Sequence, residues 1–172
     1  MKTLIVFYSR TGATKALASE LAARLNADVA EIFCDQYRPG WLRYLRAGYD
    51  SVKGNIPHVE VPRTTYRDYD VVLLGTPVWT SYPSLPMRAF LKSKPELPHR
   101  VGLFLTYGGH SPADKAVREI EALLLGPLEA SLALNEKFTR AGQTSSEAKQ
   151  AVDKFIESLV HAKDTRSEEG DA

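Results

Sequence analysis

Three hydroxyl side chains, a glycine and an arginine crowd into residues 9–14 of the sequence, SRTGAT. The stretch follows an apolar run and precedes a helical pattern. At a helix start the backbone N–H groups point outward, and the helix dipole adds partial positive charge. Ser9, Thr11 and Thr14 add hydroxyl donors, and Gly12 permits a close approach of the backbone to an anion. These features indicate a phosphate-binding loop, with a capped helix start as the alternative interpretation.

A second stretch, GTPVWTSYPSLP, follows the third apolar run of the chain. We expect Gly75, Thr76 and Pro77 to end a strand there and Trp79 to lie at the mouth of a crevice. A stretch with three prolines is typical of a surface loop, and an aromatic ring on such a loop can stack on a flat ligand. The alternative is an indole in the core, which is the more frequent place for tryptophan.

A third stretch, TYGGHS at residues 106–111, joins an aromatic residue to two glycines. Gly108 and Gly109 would let backbone N–H groups approach a ring edge, although a glycine-rich turn before a helix would look the same. His110 could titrate or donate there, but a histidine in a turn is more often solvated. Ligands of an open parallel sheet bind beyond the carboxyl ends of its strands. The three stretches together predict a site for a phosphorylated, flat, aromatic ligand.

Strand and helix patterns alternate along the chain. Short apolar runs predict five strands, at residues 4–8, 29–33, 71–75, 101–106 and 131–135. Apolar residues at helical spacing predict helices at residues 13–25, 86–94, 113–125 and 145–161. The first, third and fourth strand runs are continuous, which is typical of strands covered by helices on both faces. The alternation predicts an α/β fold with a doubly wound parallel sheet.

Residues 35–69 are long for a single connection. One face of this segment collects apolar or small residues, so we expect a helix and then an extended, proline-containing link to residue 70. The residues on that face are Trp41, Leu45, Gly48, Tyr49 and Val52. The segment serves either plain packing, which we favour, or a flap or partner surface near the site.

The length of 172 residues suits one domain, which we place at residues 1–162, followed by a polar tail at 163–172 that we expect to be disordered. The 22 Lys and Arg residues nearly balance the 21 Asp and Glu residues, so charge gives no argument for nucleic acid or an anionic membrane as main partner. No stretch approaches the roughly 18 apolar residues of a membrane span. We therefore expect a soluble, cytoplasmic protein.

The sequence lacks the signature residues of several other classes of protein. The single cysteine, Cys34, excludes an internal disulfide and leaves no zinc-binding spacing, so we predict no metal site. A low-molecular-weight tyrosine phosphatase would need a cysteine nucleophile in the first stretch. A response-regulator receiver would end its third strand with an aspartate, where Gly75 and Thr76 stand. The dinucleotide fingerprint, the Walker pattern and the hydrolase elbow are absent.

The three stretches resemble the flavodoxin family, over roughly residues 1–160. The family's phosphate signature is Thr/Ser-x-Thr-Gly-x-Thr, and residues 9–14 satisfy it at every specified position. The resemblance implies FMN as cofactor and a five-stranded sheet in the order 2-1-3-4-5, with helices on both faces. By resemblance, the phosphate is bound by Ser9, Arg10, Thr11, Gly12, Ala13 and Thr14. The isoalloxazine is flanked on one side by Thr76, Pro77, Val78, Trp79 and Thr80, and on the other by Thr106, Tyr107, Gly108 and Gly109.

Two functions follow from the resemblance, and neither assigns a catalytic side chain. One is an electron carrier of the flavodoxin type that serves redox partner proteins. The other is an FMN-dependent NAD(P)H:quinone or related reductase acting on a small quinone-like substrate. The lack of a recognisable nicotinamide site favours the carrier, whereas the near-neutral charge and the 35–69 segment favour the enzyme.

The second stretch departs from the family in one respect. Flavodoxins often carry a glycine directly after the aromatic residue, whereas Thr80 and Ser81 follow Trp79 here. A turn with positive φ costs more without glycine, so we expect weaker stabilisation of the flavin semiquinone than in relatives that carry the glycine.

Overall fold

The computed structural model describes residues 1–37, 49–50, 53, 55–61, 64–109, 113–140 and 146–167. In these ranges the strands of one sheet are β1 (Thr3–Phe7), β2 (Asp28–Glu31), β3 (Val71–Trp79), β4 (Tyr82–Pro83), β5 (Val101–Tyr107) and β6 (Ala130–Asn135). The helices are α1 (Ala13–Leu25), α2 (Leu85–Lys92), α3 (Asp114–Leu124), α4 (Glu136–Arg140) and α5 (Ser146–Ser167). Short 3₁₀ turns lie at Asp35–Tyr37 and Tyr66–Asp68.

Five of these strands are parallel and lie in the spatial order β2-β1-β3-β5-β6. Phe7 at the end of β1 lies opposite Gly75, and Thr106 near the end of β5 lies opposite Pro77. The carboxyl ends of β1, β3 and β5 therefore meet at one edge of the sheet, which confirms the predicted α/β class and parallel sheet. The predicted order 2-1-3-4-5 differs in detail, because a short strand that the prediction missed is fourth along the chain.

The missed strand, β4, pairs antiparallel with the end of β3. The prediction ended β3 at Gly75, but the strand continues to Trp79, and the chain then reverses so that Tyr82 lies opposite Trp79. Pro77 does not stop the strand, because β1 has already ended at Phe7 and that side of β3 needs no further ladder bond from the proline. The second stretch is therefore mostly strand rather than loop.

Side chains of the inner strands are buried on both faces of the sheet. On β1, Leu4 and Val6 join the core beneath α2 and α3, whereas Ile5 and Phe7 join the core beneath α1 and α5. Successive residues of a strand point to opposite faces, so a strand covered on both sides needs apolar residues at every position. This requirement explains the continuous apolar runs in the sequence.

Gly75 lies in the middle of β3, where packing rather than chain reversal requires a glycine. A Cβ built on Gly75 would lie 2.1 Å from Cζ of Phe104, its partner on β5. The Phe104 ring is fully buried and covers the bare backbone of the neighbouring strand. The expectation that Gly75, Thr76 and Pro77 end the strand was wrong: the strand continues to Trp79, and Gly75 serves packing within it.

The helices α1, α2, α3 and α5 correspond to predicted helices, whereas α4 was not predicted. α1 has the predicted limits, and α5 extends to Ser167, past the predicted end at residue 161. No helix in the described ranges has the length and apolar character that crossing a membrane requires. Within the 35–69 segment Tyr49 is helical, and the other residues of its predicted helical face lie outside the described residues, as does the end of the predicted tail. Those residues are Trp41, Leu45, Gly48, Val52 and 168–172.

We predict that Gly75→Ala destabilises the protein, because its methyl group would overlap the Phe104 ring. Overpacking of a closed core costs about 1–3 kcal/mol, and chemical denaturation measures the loss. Gly126→Ala is the matched control, since a Cβ there would meet no atom within 4 Å. Equal stability of the two variants would show that Phe104 does not fill the space above Gly75.

Candidate functional site

The first loop presents the amino end of α1. Gly12 has a left-handed φ of 93° just before the helix, and an added Cβ there would meet no atom within 4 Å. The Oγ of Ser9 accepts the N–H groups of Gly12 and Lys15, each at 3.2 Å. Ala13 and Thr14 occupy the first two helical positions, whose N–H groups have no acceptor within the helix. The loop therefore directs amide donors and the helix dipole toward one place, an arrangement that binds anions.

Two buried pairs of hydroxyl groups hold the site edge together, one between α1 and β5 and one within the second stretch. Oγ1 of Thr14 and Oγ1 of Thr106 are 2.7 Å apart and join the start of α1 to β5. Oγ1 of Thr76 lies 2.8 Å from Oγ of Ser84 and also accepts the Ser84 N–H at 3.1 Å. All four residues are buried. These hydroxyl groups bond within the protein frame, although the resemblance assigned three of the four residues to the cofactor.

The second loop is a two-residue hairpin. Thr80 and Ser81 both have positive φ, of 48° and 68°, as a tight hairpin turn of this kind requires at both central positions. Neither residue is glycine, so each left-handed conformation costs roughly 1–2 kcal/mol. Thr80 Oγ1 donates a hydrogen bond to the carbonyl oxygen of Trp79 at 2.7 Å, which offsets part of this cost. Both residues of the turn thus hold a backbone conformation that glycine would adopt at lower cost.

Contacts of Tyr82 tie the strained hairpin to two helices. Nζ of Lys115 on α3 lies 4.0 Å from the centre of the Tyr82 ring, and Cζ of Arg88 on α2 lies 5.6 Å from it. Arg88 is buried, and its Nη2 is 3.6 Å from Oε1 of Glu119. A cation–π contact contributes about 0.5–1 kcal/mol at an exposed site and more when desolvated. Sequence reasoning missed these residues, because they act through the hairpin it did not predict.

The indole of Trp79 is half-buried and packs edge-on against two tyrosines. Its ring centre lies 5.9 Å from that of Tyr8 and 5.4 Å from that of Tyr37, with interplanar angles of 85° and 82°. Both tyrosines are buried. Trp79 thus fits both predicted positions in part: one side of the indole packs against buried residues, and the residue lies at the edge of the site. Tyr8 could have been predicted as a site residue, because it lies directly before the first loop. No local pattern in the sequence links Tyr37 to this site.

The third loop contains a second open glycine. Gly109 has a φ of 64°, and an added Cβ would meet no atom within 4 Å. At Gly108 an added Cβ would lie 3.1 Å from Oε1 of Glu136, a residue that sequence reasoning missed. Tyr107 is half-buried at the end of β5. His110 lies outside the described residues.

Burial disfavours the charged forms of two groups, the Tyr8 phenol and the Cys34 thiol, by raising the pKa of each. Burial raises the pKa of the Tyr8 phenol far above its ordinary value, the Cys34 thiol raises it further, and the Arg10 guanidinium lowers it. Burial also raises the pKa of Cys34, against the lowering effect of backbone hydrogen bonds from Gln36 and Tyr37. A thiol with a raised pKa is a poor nucleophile. Cys34 therefore packs as a small apolar side chain.

The predicted site residues reach the same edge of the sheet with different exposure. Exposed are Thr11, Gly12, Thr80, Gly108 and Gly109. Half-buried are Ser9, Arg10, Pro77, Trp79 and Tyr107. Buried are Ala13, Thr14, Thr76, Val78 and Thr106. Within the described ranges no group of three His, Cys, Asp or Glu side chains is arranged to hold a metal ion. The edge thus offers donors for an anion beside aromatic rings.

A cleft of about 800 Å³ lies at the opposite edge, where β5 and β6 begin. It is lined mainly by leucine and proline, including Leu91, Leu97, Leu124 and Leu128. The amino ends of parallel strands are not where ligands of such sheets bind. We therefore place the candidate site at the carboxyl edge, where the amide donors are.

No protein-family model and no curated protein sequence matches the chain. Solved structures do match. A flavoprotein from Lactobacillus acidophilus, crystallised in complex with FMN, aligns at a TM-score of 0.65 and 20% identity, over 90% of this chain and 98% of that chain. A flavodoxin, WrbA-like protein from Agrobacterium tumefaciens aligns at 0.58 and 14% identity, over 93% and 98%.

The two-electron reduced flavodoxin of Megasphaera elsdenii aligns at a TM-score of 0.52 and 20% identity, over 87% of this chain and 94% of that chain. Identities this low establish a fold and no more. Strand order, parallel pairing and helices on both faces agree with that likeness. The chain has the flavodoxin-like fold that its sequence led us to expect.

Proposed function

We propose that this chain binds FMN and acts as a redox protein, in the manner of an electron-carrying flavodoxin. The observation that supports this most is the amino end of α1, where Gly12 has a left-handed φ and the N–H groups of Ala13 and Thr14 have no acceptor within the helix. A phosphate monoester would gain hydrogen bonds and the helix dipole there without a full countercharge. The Lactobacillus acidophilus protein, which has the same fold, was crystallised with FMN.

The residues present fit a flavin as well as a phosphate. Trp79 and Tyr107, both half-buried, stand at the ends of neighbouring strands and offer flat apolar surface. Gly12 and Gly109 have positive φ and open space where a side chain would be, so backbone groups can approach a ligand closely. When bound, FMN supplies transfer of one or two electrons, and the protein contributes binding, orientation and exclusion of water.

The near-neutral charge of the chain favours the reductase over the electron carrier. With 22 basic and 21 acidic residues the chain lacks the acidic surplus that suits docking onto basic reductases. An FMN-dependent NAD(P)H:quinone or related reductase is therefore the second candidate. We favour the carrier, with redox proteins as partners, because the sequence has no recognisable nicotinamide site.

We predict that Thr11→Glu weakens the binding of FMN and leaves the binding of riboflavin unchanged. Thr11 is exposed beside the helix start, so the added carboxylate would repel a phosphate while remaining favourable to the helix dipole. A charge contact near the surface changes affinity by about tenfold. Titration of the apoprotein with each flavin, followed by flavin fluorescence, measures the difference.

Two control variants isolate the effect of charge at this loop. Thr11→Gln has nearly the same shape as Thr11→Glu without its charge, and it should bind FMN more tightly than the glutamate variant. Thr65→Glu makes the same charge change at an exposed position before β3, away from the loop, and should bind both flavins normally. Equal loss of FMN and riboflavin in Thr11→Glu would show that the phosphate is not bound at this loop.

We predict that NADPH does not reduce the FMN-loaded protein directly. Hydride transfer requires the nicotinamide ring to be held against the flavin, and a carrier receives electrons from a protein instead. Stopped-flow mixing under nitrogen should leave the flavin absorbance unchanged, while dithionite bleaches it as a positive control. Rapid bleaching by NADPH would overturn the carrier and select the reductase.

A further inference from the structure

The orientation of Trp79 depends on a residue from a distant part of the chain. Of the two tyrosines against the indole, Tyr8 directly follows β1, whereas Tyr37 lies in the 3₁₀ turn after β2. Tyr37 is fully buried, so its ring forms a wall behind Trp79 that solvent does not reach. An edge-on contact at 5.4 Å between ring centres restricts the indole most effectively when the wall itself cannot turn.

Asp50 holds this wall in place. The Tyr37 hydroxyl donates to Oδ2 of Asp50 at 2.9 Å, and Nε2 of Gln36 donates both to the Tyr37 hydroxyl at 3.1 Å and to the same carboxylate oxygen at 3.3 Å. Nδ2 of Asn55 donates to the other oxygen, Oδ1, at 2.8 Å. Asp50 is 5% exposed. A buried carboxylate with donors on both oxygens forms strong, directional hydrogen bonds.

The segment that carries Asp50 is also attached to the sheet. Phe33, just beyond β2, and Glu60 exchange two backbone hydrogen bonds of 2.8 and 2.9 Å. Glu60 is therefore fastened to the sheet at Phe33, and Asp50 is fastened to the aromatic cluster through Tyr37. The hydrogen bond that Tyr37 donates to Asp50 and the packing of Tyr37 against Trp79 thus form one continuous path.

We propose that Asp50 is a positioning residue: through Tyr37 it fixes the indole of Trp79 and so determines how tightly a flat ring is held at this edge. This inference rests on the proposed function for the nature of the ring. It gives the long 35–69 connection a role at the site, in place of the plain packing that the sequence favoured. Asp50 acts through Tyr37 and takes no part in electron transfer itself.

The first measurement uses the apoprotein, so that it does not depend on flavin binding. In a Trp41→Phe background Trp79 is the only tryptophan. Its fluorescence anisotropy and near-ultraviolet circular dichroism then measure how rigidly the indole is held. Tyr37→Phe, which removes only the hydroxyl group, and Asp50→Ala should each lower both signals. The double variant should lower them no further, because the two residues act along one path.

Tyr69→Phe is the matched control. Its hydroxyl donates to Oδ2 of Asp28 at the same 2.9 Å, at the opposite edge of the sheet, so its loss should leave both Trp79 signals unchanged. If Asp50→Ala does not fold, Asp50→Asn keeps the shape of the side chain and removes its charge. Folded Tyr37→Phe and Asp50→Asn proteins whose Trp79 signals equal those of the parent would overturn the proposal.

The second measurement separates the ring from the phosphate. Tyr37→Phe and Asp50→Ala should weaken FMN and riboflavin alike, by about tenfold, since both ligands share the ring that Trp79 would contact. This pattern is the opposite of that expected for Thr11→Glu, which affects FMN alone. A looser Trp79 with unchanged affinity for both flavins would overturn the positioning role. Failure of the parent protein to bind any flavin would overturn the proposed function, and the apoprotein signals would still decide whether Asp50 fixes Trp79.

Discussion

The central strand β3 is the constraint on which the rest of the site depends. It is hydrogen-bonded to β1 on one side and β5 on the other, and its first six residues are buried. At Gly75 the space beside it is filled by Phe104, so it cannot shift in the closely packed core. Beyond Gly75, β3 extends past the end of β1, so that Trp79 lies at the carboxyl edge of the sheet. The first loop then lies to one side of it and the glycine-rich loop to the other.

Polar groups around β3 divide into two sets with different tasks. Buried hydroxyl groups, such as the Thr14–Thr106 pair, bond to one another and hold the loops in register. The N–H groups of Ala13 and Thr14 at the start of α1 have no acceptor within the helix, so an anion can bind there. A site whose donors are fixed before the ligand arrives loses little free energy to ordering on binding. The Thr80–Ser81 turn is likewise fixed in advance, because surrounding contacts hold it in an unfavourable backbone conformation.

Local pattern was sufficient for the five parallel strands and for α1, because continuous apolar runs and helical spacing each have a direct structural meaning. The hairpin was missed because Thr80 and Ser81 lack the glycine that usually marks a two-residue turn. It forms because Tyr82 is held by residues of α2 and α3, which no local pattern shows. The contribution of Asp50 was equally hidden, since its partners become neighbours only after folding.

Binding of a phosphate at the amino end of α1 is the central claim, and amide proton–nitrogen correlation spectra test it most directly. Titration with FMN should shift the resonances of Gly12, Ala13 and Thr14 strongly, whereas riboflavin should leave these three nearly unchanged and move the indole N–H of Trp79. Shifts caused by FMN at the leucine-lined cleft on the opposite edge, with the residues of the first loop unaffected, would contradict it.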